Sequence, residues 1–122
     1  AAATKVLSIL RDTDALETIR RNGLEVQRGL SEVIDRRGLP HVFTGVPAMF
    51  GVMFAEQLPA DYRGWADTDH ALYDAVAQGM IARGAMPEPD SREPWFMCYE
   101  HSDADVDETL NVYAEIVKEV KK

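Results

Sequence analysis

The sequence is poor in several features that mark particular classes of protein. Its 122 residues include a single cysteine, so no internal disulfide framework is possible. No apolar run approaches the roughly 18 residues that span a bilayer, and no basic stretch followed by an apolar segment indicates export. Basic residues are scarce too, since 13 Lys and Arg against 21 Asp and Glu give a formal net charge of −8. These deficits predict a cytoplasmic domain that binds neither membrane nor nucleic acid, because binding phosphates requires clustered cations.

Motifs for several kinds of chemistry are also missing. The three histidines are far apart and lack the spacing of a zinc site, and no Gly-rich phosphate loop is present. The acidic run from Asp103 to Glu108 lacks the glycine and final glutamate of a calcium loop, and it suits the first turn of a helix. Cys98 lies in an apolar pattern, which is typical of a buried and unreactive thiol. We therefore expect neither a metal nor a nucleophilic centre here.

Helical periodicity dominates the first third of the chain. One helix is already running at residue 1, which predicts that the chain continues upstream, although a processed or frayed terminus would show the same pattern. A second helix begins near Asp14, which forms a capping-box-like pair with Glu17, and it stops at Gly38. Leu16 belongs to its apolar stripe. Gly23 lies on the same stripe, where it either permits a close approach by another element or breaks the helix.

The rest of the chain alternates between strand and helix patterns. Short apolar runs at 41–44 and 48–54 favour two strands, and residues 57–67 are expected to form a loop. A third helix is predicted from about 69 to 83, ended by Gly84. Two short strands at 85–86 and 95–99 are expected to flank the proline-rich segment 87–94. A capping box of Ser102 and Asp105 opens the last helix, and Lys118, Lys121 and Lys122 suit its C-terminal end.

The order α-α-β-β-α-β-β-α predicts a fold of the α+β class. We expect a small, mainly antiparallel sheet of three to four strands with helices packed on one face, formed as a single domain by residues 1–122.

One carboxylate lies where binding groups are often found. Glu93 follows Arg92 in a loop bounded by prolines and stands next to Pro94 and Trp95. Proline restricts the backbone, and loops on a rigid scaffold often carry functional side chains. The spacing alone also fits a solvated acidic loop.

The segment from 84 to 107 carries a composite motif. It consists of a glycine, a proline-containing loop, a glutamate, a phenylalanine and a His-Ser-Asp-x-Asp-Val-Asp run that opens a helix, and a Met-Phe-Gly strand lies upstream. This combination resembles the C-terminal segment of class III pyridoxal-phosphate aminotransferases, and most of all the glutamate-1-semialdehyde aminomutases among them. The positions that match without a gap are Gly84, Pro89, Glu93, Phe96, His101, Asp103, Asp105 and Asp107.

The resemblance implies that the chain is the small, C-terminal domain of a fold-type I enzyme, preceded by a large domain that holds pyridoxal phosphate. In an aminotransferase or aminomutase, such a domain closes over a small amino-compound substrate within a homodimer. The resemblance places Glu93 near that substrate. None of the four lysines matches the motif of the Schiff-base lysine, so the resemblance implies that the isolated chain holds no cofactor, contains no catalytic residue and is inactive. A free-standing α+β binding module without a cofactor is the alternative.

The sequence departs from the aminomutase pattern on both sides of Glu93. Arg92 replaces an apolar residue, and Pro94 and Trp95 replace a small pair. A tryptophan beside the pocket would change the volume of the pocket, so the resemblance does not specify which substrate binds. The first helix and part of the sheet are expected to face the large domain, which predicts an apolar patch on the isolated chain.

Overall fold

The computed structural model describes residues 1–120, which form five helices and three strands. Lys121 and Lys122, which were expected at the end of the last helix, lie outside the described residues. The elements in chain order are α1 (Ala2–Asp12), α2 (Ala15–Asp35), β1 (Val42–Val46), β2 (Met49–Met53), α3 (Tyr62–Ala66), α4 (His70–Ala82), β3 (Trp95–Phe96) and α5 (Asp103–Glu119). Within this part of the chain, no helix is both long and apolar enough to cross a bilayer.

The sheet has the order β1-β2-β3, and both pairings are antiparallel. Its register places Phe50 opposite Trp95, and it places Met49 opposite both Val46 and Phe96. Because residues directly opposite one another share a face of the sheet, the two sets lie on different faces. Phe50 and Trp95 are buried, whereas Val46, Met49 and Phe96 are exposed.

The hydrophobic core lies between the buried face of the sheet and helices α2, α4 and α5. Helices approach closely at two glycines: a Cβ at Gly29 would lie 2.5 Å from the side chain of Leu110, and one at Gly79 would lie 2.9 Å from that of Ile116. The α+β class and the antiparallel sheet are confirmed, with three strands in residues 1–120. The largest fully buried side chains are Tyr113, Phe50, Leu30, Ile34, Met80, Val52, Val117 and Asn22.

The predicted limits of α4 and α5 are confirmed by their capping contacts. The Asp69 carboxylate accepts a hydrogen bond from the Leu72 N–H at 2.9 Å at the start of α4, and Gly84 follows the helix with φ +87°. Ser102 and Asp105 exchange both bonds of the capping box at the start of α5. In both helices, short polar side chains satisfy the amides that the first turn leaves without a partner.

The predicted start of α2 is correct in position but wrong in mechanism. Asp14 makes no capping bond. Its carboxylate instead accepts hydrogen bonds from the Tyr99 hydroxyl at 2.7 Å and the Thr18 hydroxyl at 3.3 Å. The Tyr99 bond lowers the pKa of Asp14 below its usual range. Leu16, which was expected on the apolar stripe, is exposed, and the neighbouring Ala15 is buried instead.

Three other expectations about the strands and loops are wrong. Residues 85–86 form no strand, because the Ala85 N–H donates to the Met80 carbonyl at 3.1 Å and closes the end of α4. The strand expected at 95–99 is limited to Trp95–Phe96. The segment 57–67 is not all loop, because Asp61 accepts the Gly64 N–H at 2.9 Å and caps the short helix α3.

Candidate functional site

The segment from 84 to 94 leads from the end of α4 to β3 and contains Glu93. It is attached to the core at both ends by Tyr73 and Trp95. The Trp95 indole N–H donates to the Tyr73 hydroxyl oxygen at 2.8 Å, and that hydroxyl donates to the Glu88 carbonyl at 2.6 Å. Burial raises the pKa of Tyr73 to about 12, so its hydroxyl remains a donor at neutral pH. The buried side chain of Tyr73 thus bonds both to Glu88 within the segment and to Trp95, the residue that follows the segment.

The middle of the segment is held by the pair Asp90 and Arg92. The Arg92 backbone N–H and its Nε–H both donate to Asp90 Oδ1 at 2.9 Å, and the other end of the guanidinium donates to Asp90 Oδ2. These bonds lower the pKa of Asp90 to about 2 and raise the pKa of the Arg92 guanidinium above its usual range. The pair therefore stays charged throughout the neutral range.

Trp65 of α3 connects this pair to the rest of the fold. The Arg92 guanidinium carbon lies 4.8 Å from the centroid of the Trp65 ring, a distance typical of a cation–π contact. The Trp65 indole N–H donates to the hydroxyl of the buried Ser91 at 2.9 Å, and its ring stacks on His70 at 5.2 Å. The residues immediately before Glu93 are consequently fixed to α3 and to the start of α4.

Glu93 itself is exposed, and its backbone N–H donates to the Asp90 carbonyl at 3.0 Å. The structure thus presents this carboxylate on a segment whose neighbouring residues are held by several hydrogen bonds. Glu93 does not line either of two cavities in the described residues, which have volumes of about 500 and 190 Å³. Its proximity to a substrate stays a prediction.

Two of the residues that depart from the aminomutase pattern, Trp95 and Arg92, make contacts within the fold. Trp95 is only 7% exposed and packs in the core against Phe50, so its ring does not lie on the surface beside Glu93. Arg92 is turned toward Asp90 and Trp65. Both residues support the segment from within, which the sequence did not indicate because Tyr73 and Trp65, which they contact, are distant from them along the chain.

Cys98 is exposed, contrary to the expectation of a buried thiol. The strand ends at Phe96, and the chain then turns, with the Cys98 backbone N–H donating to His101 Nδ1 at 3.0 Å. His101 also receives a hydrogen bond at its carbonyl, from the side-chain amide of the buried Asn22 at 2.8 Å. These contacts give His101 a part in fixing the turn before α5.

Residues 1–120 bring no three His, Cys, Asp or Glu side chains together in a group that could hold a metal ion. The acidic start of α5 has a structural explanation, since Asp105 accepts bonds from both the backbone N–H and the hydroxyl of Ser102. These bonds lower the pKa of Asp105.

The described lysines do not suit pyridoxal phosphate. Lys5 on α1 and Lys118 on α5 are exposed, and neither lines either of the two cavities described above. A Schiff base needs an amine at the imine carbon and a partner for the pyridine nitrogen.

Comparison with known proteins finds many relatives, glutamate-1-semialdehyde 2,1-aminomutases among them, although no model of a protein family matches. A glutamate-1-semialdehyde 2,1-aminomutase from Desulfitobacterium hafniense is 27% identical over 118 residues, which cover 97% of this chain and 27% of the relative. The aminomutase from Thermus thermophilus is 31% identical over 93 residues, which cover 76% of this chain and 22% of the relative. The chain thus spans about a quarter of the length of the curated relatives that it matches.

Solved structures agree with this result. The structure of the pyridoxal-phosphate internal aldimine form of the FumI protein from Sphingopyxis sp. MTA144 matches with a TM-score of 0.80 and 28% identity, over 98% of this chain and 26% of that protein. An omega-transaminase from Sphaerobacter thermophilus has the same fold, with a TM-score of 0.72 and 19% identity, over 84% of this chain and 23% of that one. The resemblance inferred from the sequence is confirmed, and the matches fit the C-terminal domain of a class III enzyme.

Proposed function

We propose that this chain is the small domain of a pyridoxal-phosphate-dependent aminotransferase or aminomutase. It is homologous to about a quarter of the length of glutamate-1-semialdehyde 2,1-aminomutases, and it has the fold of the corresponding part of a transaminase. The observation that carries the proposal is the match of nearly the whole chain, in sequence and in fold, to a quarter of much longer proteins. In this proposal the remaining part of a longer cytoplasmic protein forms a large domain that holds the cofactor, and two copies form a dimer.

The chain's own contribution is to present Glu93 to a small amino-compound substrate. An exposed carboxylate can accept a charge-assisted hydrogen bond from an ammonium or amine group. The pair of Asp90 and Arg92, together with Trp65, holds the segment before Glu93, so less conformational entropy is lost when the carboxylate meets its partner. Catalysis through the cofactor is assigned to the rest of the enzyme.

The cofactor assignment can be tested on the chain as it is. When pyridoxal phosphate is added and the mixture is reduced with borohydride, we expect no stoichiometric modification of any one lysine, because neither described lysine lies in a pocket. Mass spectrometry of tryptic peptides makes the measurement.

A longer protein that contains this chain serves as the positive control. The organism that encodes this chain should produce a protein about four times as long that contains it, with a visible imine band that borohydride removes. Stoichiometric labelling of one lysine in the short chain would contradict the proposal. So would the finding that the protein in the organism is no longer than this chain.

The exposed row on the sheet supplies a docking surface for the proposed large domain. Val46, Met49 and Phe96 lie opposite one another on the face away from the core, and Phe96 is 65% exposed. Interfaces between domains typically bury about 600–1,500 Å². Leaving such a surface in water favours association.

We therefore expect the isolated chain to self-associate weakly and to bind a hydrophobic dye. The double substitution Met49→Ser and Phe96→Ser should reduce both effects, because it removes two of the three apolar side chains in the row. Leu58→Ser is the control, since Leu58 is also exposed but lies outside the sheet and lines neither of the two cavities described above. Sedimentation velocity and dye fluorescence provide the measurements, and a strict monomer without dye binding would contradict this prediction.

Glu93→Gln in the full-length enzyme should lower the rate with the true substrate roughly ten- to a hundredfold. The change keeps the shape of the side chain and removes its charge, and losing one charged hydrogen bond in the transition state costs about 1.5–3 kcal/mol. The melting temperature should stay unchanged, because Glu93 is exposed.

Glu100→Gln is the control for net charge, since Glu100 is also exposed and lies in the turn after β3. Steady-state kinetics and thermal unfolding of both variants make the comparison. If Glu93→Gln matches the parent in both measurements, Glu93 is a solvated loop residue.

A further inference from the structure

The cavity of about 500 Å³ is a cleft that Glu93 does not line, although Phe96 of the exposed row on the sheet does. It lies between residues 84–89, β3 and the first half of α5. Its volume is within the range of about 300–1,000 Å³ that is typical of small-molecule sites. Its lining includes four buried apolar side chains: Val26, Met80, Trp95 and Val106.

The polar part of the cleft carries charge of one sign. Three carboxylates line it, from Glu88, Asp105 and Glu108, and no Lys or Arg of residues 1–120 does so. Asp105 is engaged by Ser102 in the capping box. Glu88 and Glu108 take part in none of the salt bridges within residues 1–120.

Two further polar side chains, Thr109 and His101, line the cleft. The His101 Nδ1 accepts the Cys98 N–H, so the neutral ring carries its proton on Nε2. The cleft therefore combines an apolar lining with an excess of negative charge. Anions are disfavoured there, and a purely apolar ligand would leave the carboxylates unmatched.

We propose that this cleft binds small amphiphilic ammonium compounds, with the apolar group against Trp95 and Val106 and the ammonium near Glu88 and Glu108. The site is separate from Glu93, which does not line the cleft. It does not depend on the chain being part of a longer enzyme, because every residue that it uses lies in this chain.

The test compares three probes with nearly the same apolar group: 2-phenylethylammonium, 2-phenylethanol and phenylacetate. The 122-residue chain is titrated with each by calorimetry and by amide chemical shifts. We expect saturable binding of the ammonium compound with Kd of about 1 mM or below, and at least about tenfold weaker binding of the alcohol and the acid. Raising the salt from about 50 mM to about 1 M should weaken binding of the ammonium compound and leave that of the alcohol unchanged.

Variants identify the site. Glu88→Gln and Glu108→Gln should each weaken binding of 2-phenylethylammonium about three- to tenfold, and the double variant should abolish it in the measurable range. Glu115→Gln is the control, because Glu115 is exposed on the same helix but does not line the cleft. Circular dichroism checks that each variant is folded.

Four results would overturn the proposal: no saturable binding of the ammonium probe, equal affinity for all three probes, preference for the carboxylate, or an equal loss in Glu115→Gln and Glu108→Gln. The last result would mean that the chain attracts cations through its net charge of −8 rather than through this cleft.

Discussion

Replacing Phe50 with alanine is expected to lower the free energy of unfolding by about 3–5 kcal/mol, the cost of truncating a buried aromatic side chain. Phe50 is fully buried in the middle of the sheet. Its ring lies 5.9 Å from that of Phe43 and 5.7 Å from that of Trp95. The substitution removes these contacts and leaves a cavity that β2 and β3 cannot close without losing their register. Urea unfolding followed by circular dichroism measures the change.

Phe96→Ala is the matched control for this prediction. Phe96 is on the neighbouring strand, beside the residue that pairs with Phe50, but it lies on the opposite face of the sheet. Because its side chain is largely exposed, the substitution should change stability by about 0.5 kcal/mol or less. Similar losses in the two variants would mean that the face assignment of the sheet is wrong.

Replacing Gly23 with alanine is expected to destabilise the chain by about 2–3 kcal/mol, although alanine is the better helix former by about 1 kcal/mol. A Cβ at this position would lie 1.9 Å from the carbonyl oxygen of Pro47. The Cβ is bonded directly to the backbone of α2, and the oxygen belongs to the backbone of the turn between β1 and β2. No change of rotamer can relieve the clash, so the hairpin must move away from the helix.

Gly29→Ala in the same helix provides the comparison. A Cβ there would lie 2.5 Å from the methyl groups of Leu110, which are at the end of a flexible side chain and can move. The gain in helix propensity offsets the cost of this movement, so we expect a change within about 1 kcal/mol. Equal unfolding midpoints for the two variants would show that Gly23 is not a point of close approach.

Gly23 has two interpretations from the sequence, a close approach by another element or a break in the helix, and the structure decides between them. Gly23 lies on the apolar stripe of a predicted helix, where a glycine lowers stability relative to an alanine. The helix continues through Gly23, and the hairpin turn packs directly against it. The choice depended on Pro47, which is 24 residues away along the chain, and helical periodicity contains no information about such a distant contact.

Local signals were most reliable where the partner lies within one helical turn. Asp69 with Leu72, and Ser102 with Asp105, are three residues apart, so the sequence alone places the capping partners near each other. Asp14 has the same local signal, but the Tyr99 hydroxyl, 85 residues later, takes up its carboxylate. The capping prediction failed there because a tertiary contact competed with the local one.

The candidate site shows the same division. The spacing of the composite motif identifies Glu93 and the segment that carries it, so this part of the site can be predicted from the sequence. The support beneath that segment did not. The sequence predicts a loop over 57–67, which includes Trp65, and a helix over about 69–83, which includes Tyr73. Together these two residues fix the residues around Glu93 through hydrogen bonds to Ser91, Trp95 and the Glu88 carbonyl.

By itself, the sequence determined the fold class, the positions of the long helices and the family resemblance, because these depend on periodicity, capping and motif spacing within short stretches. Tertiary structure alone decided which of two adjacent aromatic residues enters the core. Trp95 and Phe96 necessarily point to opposite faces of a strand. The pairing of Trp95 with Phe50 turns Trp95 inward and leaves Phe96 exposed beside Met49. A two-residue strand has no alternation long enough to specify its own orientation, so the register of the neighbouring strand sets it.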